Sequence, residues 1–184
     1  MGKSRETIKT DIRSEVIRRM TSTRYNRVQK EWRKAVDRLS HDPEGALTSA
    51  KAMLEALCKT ALETLNVSYS RSADLPKLYS LLSDRLGFAP GAQSDEDLRS
   101  VYGSIHNIVQ RMGEMRNKYG DAHGRSSAHV GPSRTQVELA INLSGSISLF
   151  IISYLENYLA ANKRINNNGH AILRFDKVTV WRLI

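Results

Sequence analysis

Arg116 and His123 stand seven positions apart in the stretch Arg116-Asn117-Lys118-Tyr119-Gly120-Asp121-Ala122-His123-Gly124. Histidine gains and loses a proton near neutral pH. Arginine stays charged and offers a planar fork of donors that fits phosphate oxygens. Together they suit metal-free cleavage of a phosphodiester, the imidazole moving protons and the guanidinium stabilising developing charge. If a helix ran through both, steps of about 100° would return His123 to nearly the face of Arg116, about 10 Å further along. If the helix ends at Gly120, the following loop can bring them closer. Either arrangement lets both line one groove. The same residues could instead cap a helix end, with Arg116 pairing to Asp121 and His123 bonding a terminal carbonyl.

The neighbours widen this candidate site. Asn117 could hold the pair or a phosphate by hydrogen bonds, and Asp121 could orient His123. Tyr119 could stack on a base or simply pack. Lys118, Arg125 and His129 join Tyr119 and Asp121 as candidate substrate contacts. His106 is expected to face solvent or a neighbouring helix, and Glu55 sits one step off an apolar helix face. Cys58 lies among Leu54, Ala61 and Leu65, a poor setting for a nucleophilic thiolate. One cysteine and five scattered histidines form no ligand set, and no phosphate-loop glycine pattern occurs. Neither a metal nor another cofactor is expected.

The formal charge of +9 is unevenly spread. Residues 1–40 hold twelve Lys/Arg against five Asp/Glu, residues 41–161 eleven against thirteen, and residues 162–184 five against one. Basic ends around a near-neutral middle suit a polyanion ligand, through phosphate contacts that release counterions. A solvated helix surface would look the same in sequence. The absence of a helix-turn-helix signature, with Arg18-Arg19 and Arg24-x-x-Arg27 spread along the chain, weighs against a duplex-DNA reader. The lone cysteine and a start without an apolar signal core lead us to expect a cytoplasmic protein.

Helical periodicity dominates. Ile8, Ile12, Val16, Ile17 and Met20, then Val28, Trp32, Val36 and Leu39, imply two helices or one interrupted near Thr21-Ser22-Thr23. Asp42 with Pro43 opens a helix whose wide apolar face, from Leu47 to Leu65, belongs in the middle of a bundle. Asp74 caps a shorter helix ending near Gly87. Ser94-Asp95-Glu96-Asp97 resembles a capping box for a helix with a core stripe from Leu98 to Met115, reaching Arg116 or Tyr119. Pro132-Ser133, with Gln136 at capping-box spacing, begins a last helix running to about Asn162. Its apolar residues cover more than one face, which implies a homodimer interface. Asn142, Ser144, Ser146, Ser148, Ser153 and Glu156 argue against a membrane span. Beyond it, two β-prone runs at 171–175 and 178–184 could pair as a hairpin that docks on the domain or on a partner chain. The expected organisation is all-α: a basic helical extension at 1–40, a helical bundle at 41–162 and a C-terminal tail at 163–184.

Arg116-Asn117, with His123 after five further residues, fits the arginine/four-to-six/histidine pattern of HEPN ribonucleases. The longer Arg-Asn-Lys-x-Gly-Asp-Ala-His-Gly resembles the C-terminal domain of abortive infection proteins. The similarity spans about Asp42 to Asn157, with Asp42-Pro43-Glu44-Gly45-Ala46 and Lys51-x-x-Leu54-Glu55 at its start. The resemblance implies a HEPN-like bundle that dimerises so that two motifs face one cleft. It further implies RNA cleavage without metal, leaving a 2′,3′-cyclic phosphate and a 5′-hydroxyl. His123 would act as general base or acid, Arg116 would stabilise the phosphorane-like transition state, and Asn117 matches the polar residue that follows the arginine. The basic N-terminal helices would guide tRNA or mRNA toward the cleft. Relatives of this kind imply phage defence, abortive or toxin-like, with an antitoxin or other defence protein as a further partner. Some HEPN domains only bind nucleic acid or protein, and that noncatalytic role is the alternative.

Overall fold

The computed structural model describes residues 11–119 and 131–167, with only the backbone described at 115–119 and 163–167. Among the described residues there are six α-helices and no strand: α1 (Ile12–Arg19), α2 (Asn26–Arg38), α3 (Pro43–Thr64), α4 (Leu75–Leu86), α5 (Glu96–Tyr119) and α6 (Arg134–Asn167). The β-prone runs of the tail lie outside the described residues. Short 3₁₀ turns at Thr23–Tyr25 and Pro90–Ala92 lead toward α2 and α5.

Capping chemistry sets most of the boundaries. Asp42 accepts a bond from the Gly45 amide at 2.9 Å ahead of Pro43, and Asp74 accepts from Lys77 at 3.1 Å ahead of α4. Each satisfies a backbone donor that the helix leaves open. Gly87 ends α4 in the left-handed region with φ of 82°, where glycine carries no Cβ penalty. Ahead of α5 the cap is Asp95, whose carboxylate takes the Leu98 amide at 2.9 Å. The N-cap is therefore Asp95 rather than Ser94, and Leu98 has no acceptor to complete a reciprocal box. Ser133 and Gln136 bond each other's amides at 2.9 and 3.3 Å, a reciprocal capping box at the start of α6. That helix runs to Asn167, past the expected end near Asn162.

The apolar stripe of α3 places it centrally, in contact with α2, α4, α5 and α6, while α1 lies on α6. Val16 and Met20 of the α1 segment and Val28, Trp32 and Ala35 of α2 share one core with Leu47, Leu54 and Leu57 of α3. By length and a mean hydropathy of 1.5, Arg134–Asn162 passes for a membrane-crossing helix, with half of its most apolar stretch buried in the fold. Its apolarity serves the core through Val137, Ile141, Ile151, Ile152 and Leu155, all buried. Buried Ser144 and Ser148 return their hydroxyl protons to the Ala140 and Ser144 carbonyls at 2.8 Å, so each polar group is satisfied inside the helix.

Gly145 is where α1 and α2 meet α6. A Cβ there would stand 3.1 Å from the buried Trp32 ring, 3.2 Å from Ile12 and 3.3 Å from Val16. Gly145→Val should therefore cost about 1–3 kcal/mol through overpacking, measured by denaturant unfolding. Gly145→Ala should cost less, because alanine recovers up to about 1 kcal/mol of helix propensity.

Candidate functional site

The start of α5 is fixed by Asp95, and its buried Tyr102, Val109 and Met112 hold it in the core. Its last turns carry Arg116, Asn117, Lys118 and Tyr119, all within the helix backbone. Asp121, His123, Arg125 and His129 lie outside the described residues. Gly131, Pro132 and Ser133 lead into α6. The segment bearing His123 therefore joins the end of α5 to the start of α6.

Glu44, in the first turn of α3, reaches the far end of that segment. A Cβ on Gly131 would stand 2.6 Å from a Glu44 carboxylate oxygen, the movable end of that side chain. From sequence, Glu44 reads as an ordinary acid favoured by the helix dipole. Its distant neighbour emerges only from folding. At the adjacent Gly45 a Cβ would stand 2.0 Å from the Asp42 carboxylate that caps the helix. Asp42-Pro43-Glu44-Gly45 thus combines a tight cap with a carboxylate that stands beside Gly131.

Between α5 and α6 runs a cleft of about 390 Å³, lined by Ile108, Arg111 and Met112 on one side and by Gln136, Leu139 and Leu143 on the other. Leu139 is 60% exposed, so this surface is apolar and open. Arg116 follows Met112 by one helical turn. Arg111 is engaged with Glu114 at 2.6 Å, and that bond, assisted by Gln110, holds the Glu114 carboxyl below its ordinary range. Neither Arg111 nor Leu139 carried a distinguishing sequence signal.

The remaining candidates are positioned for packing. Glu55 pairs with Lys51 at 2.7 Å along α3, both partly buried. Cys58 is fully enclosed, and burial pushes its thiol up to about 12, which suppresses thiolate chemistry. Among the described residues no three His, Cys, Asp or Glu side chains gather as a metal-ligand group. His106 faces α4: its Nε2 lies 3.1 Å from the Ser83 hydroxyl, and its ring meets the Tyr79 ring edge-on at 4.7 Å.

Burial lowers the His106 pKa from its ordinary 6.5, opposed by nearby Asp84. Folding therefore favours the neutral ring. Its contribution to stability is complete above the unfolded pKa and declines as pH falls through that value toward the lower folded one. In matched urea titrations from neutral to mildly acidic pH, wild type should lose stability more steeply than His106→Gln. Equal slopes would mean that the ring titrates freely.

A family model described as Abi_C, HEPN-like domain, matches residues 26–155. The chain belongs to the Abi_C HEPN-like domain family. The match runs from the first residue of α2 into α6 and takes in the whole Arg116–His123 motif. No curated protein and no solved structure matches the chain. Membership in a HEPN-like family agrees with the helical bundle and points to a nucleic-acid-related or defence role.

Proposed function

We propose that this Abi_C HEPN-like protein is a metal-independent endoribonuclease acting in phage defence, in an abortive or toxin-like manner. The observation that supports this reading is the position of the motif within the family-matched region. Arg116 and Asn117 lie in the last turns of α5, and Gly131, the first described residue after the motif, stands beside Glu44 ahead of α6.

In the proposed reaction the ribose 2′-oxygen attacks phosphorus and the bond to the 5′-oxygen breaks. His123 takes the hydroxyl proton or delivers one to the leaving oxygen. Arg116 stabilises charge on the phosphoryl oxygens, and Asn117 holds the arrangement by hydrogen bonds. Lys118, Tyr119, Asp121, Arg125 and His129 line the path of the strand. The apolar cleft between α5 and α6, one turn from Arg116, is the face proposed to meet a second copy and bring two motifs together. The substrate is tRNA or mRNA, and the setting is the cytoplasm. An antitoxin or another defence protein would restrain the activity.

The test is incubation of the purified full chain with total RNA and defined tRNAs in the presence of EDTA. Fragments ending in 2′,3′-cyclic phosphate are expected. Intact RNA that is nonetheless bound would favour a noncatalytic binding module instead.

A further inference from the structure

The positive charge of α1 and α2 divides into two kinds once the helices pack. On α1, Arg13 pairs with Glu138 at 2.7 Å, Arg18 with Glu15 at 2.5 Å and Arg19 with Glu156 at 2.7 Å. Those cations are neutralised where they stand. On α2, Lys34 pairs with Glu31 at 2.9 Å, and Arg38 lies 3.8 Å from Asp42. Lys30 and Arg33 are exposed and have no acid partner among the described residues. Arg27 is exposed but acts electrostatically on Tyr69, whose hydroxyl donates to Glu63. The acids of α2 itself are Glu31, already engaged, and Asp37, one turn beyond Arg33.

Lys30, Arg33 and the paired Lys34 border a shallow groove of about 500 Å³, lined also by Asn26 and Gln29. The groove follows the helix for about 12 Å, the reach of a few successive phosphates. The opposite face of α2 is committed to the core through Val28, Trp32 and Ala35. Large exposed hydrophobic residues occur at Ile12, Ile17, Val101 and Leu139, and none on α2. A membrane-seated helix would need an apolar face to insert, so the open face of α2 suits a hydrated polyanion instead. Its far end lies beside the start of α3. Arg38 donates to the Gly45 carbonyl at 3.4 Å, and the adjoining Glu44 stands against Gly131.

We propose that the open face of α2 holds the sugar–phosphate backbone of a nucleic-acid strand, with Lys30 and Arg33, the groove cations that no acid holds, as its contacts. On the ribonuclease reading above, on which only the strand's identity as substrate rests, that strand is the RNA to be cleaved. The α1 arginines take no part, because their acids already hold them.

The test measures binding apart from cleavage. In a His123→Ala background, a labelled single-stranded RNA is titrated over a range of salt concentrations against Lys30→Gln/Arg33→Gln. A control, Arg18→Gln/Arg71→Gln, removes the same charge from exposed positions elsewhere. The α2 double variant should bind about tenfold more weakly, with the dependence of log affinity on log salt shallower by about 1.4. The control should stay within about twofold, and both should keep wild-type melting curves. Equal weakening by the two doubles would reduce the effect to bulk charge and overturn the proposal, as would unchanged binding by the α2 double. Anionic vesicles captured by wild type in place of RNA would also overturn it. A DNA strand of the same sequence, bound equally, would retain the backbone site while removing its link to an RNA substrate. Wild-type cleavage with unaltered binding by the α2 double would leave the ribonuclease reading standing and remove this one. Binding lost in the α2 double, with no cleavage by any protein, would do the reverse.

Discussion

His123→Ala is expected to slow RNA cleavage by about 10²–10⁴-fold, the usual contribution of a positioned proton donor or acceptor. RNA binding should remain, because the imidazole adds little to sequence-independent phosphate affinity. Arg116→Ala should fall by about 10²–10³-fold, with Arg116→Lys only partly restored. Lysine keeps the charge but lacks the two-pronged donor geometry. Initial rates on a defined tRNA, normalised to bound RNA, distinguish these effects. A His123→Ala protein that cleaves as fast as wild type would remove the imidazole from the reaction. Wild type that binds without cutting would shift the whole motif to a binding role.

Phe88→Ala is expected to cost about 3–5 kcal/mol, the largest loss of stability foreseen for a single substitution here. Phe88 is fully buried in the short link between α4 and α5. Its ring lies 5.0 Å from those of Phe150 and Tyr154, 5.8 Å from Tyr79 and 6.2 Å from Tyr102, in tilted or edge-on arrangements. The cluster therefore joins α4, α5 and α6 through one side chain. Truncation leaves a cavity that the Tyr102 and Tyr154 hydroxyls, 3.0 Å apart, cannot collapse to fill without breaking their bond. Urea unfolding should show a lower midpoint with little change in slope. A loss under about 1 kcal/mol would mean that the neighbouring rings repack into the space. Because α5 carries Arg116, cleavage should weaken with the same variant at temperatures where it begins to open.

Local chemistry was largely legible. Asp42 with Pro43, Asp74, Gly87 and the Ser133–Gln136 box each combine residues only a few positions apart, and the structure uses all of them as caps. The choice of Asp95 over Ser94 was ambiguous because adjacent polar residues can cap the same helix and the decision rests on one backbone angle. The break between α1 and α2 was visible as a gap in periodicity. Whether it made two helices or one interrupted helix was decided by the 3₁₀ turn at Thr23–Tyr25. For the candidate site, the motif and the family were legible in the residues themselves. The neighbour of its far end was not, since Glu44 and Gly131 are distant in sequence and neither residue type announces the other.

By itself, then, the sequence determined the helical class, the caps, the central place of α3 and the Arg116–His123 motif. These depend on periodicity and hydrogen bonds that close within a turn or two. Only the tertiary structure decided which charges are free and which rings meet. Arg13 and Arg19 find Glu138 and Glu156 across the α1–α6 contact, while Lys30 and Arg33 on the next helix do not. The sequence presents these cations alike. The difference arises because an ion pair depends on the rotation of two packed helices about their axes, which is set by core contacts such as Gly145 against Trp32 rather than by the charged residues.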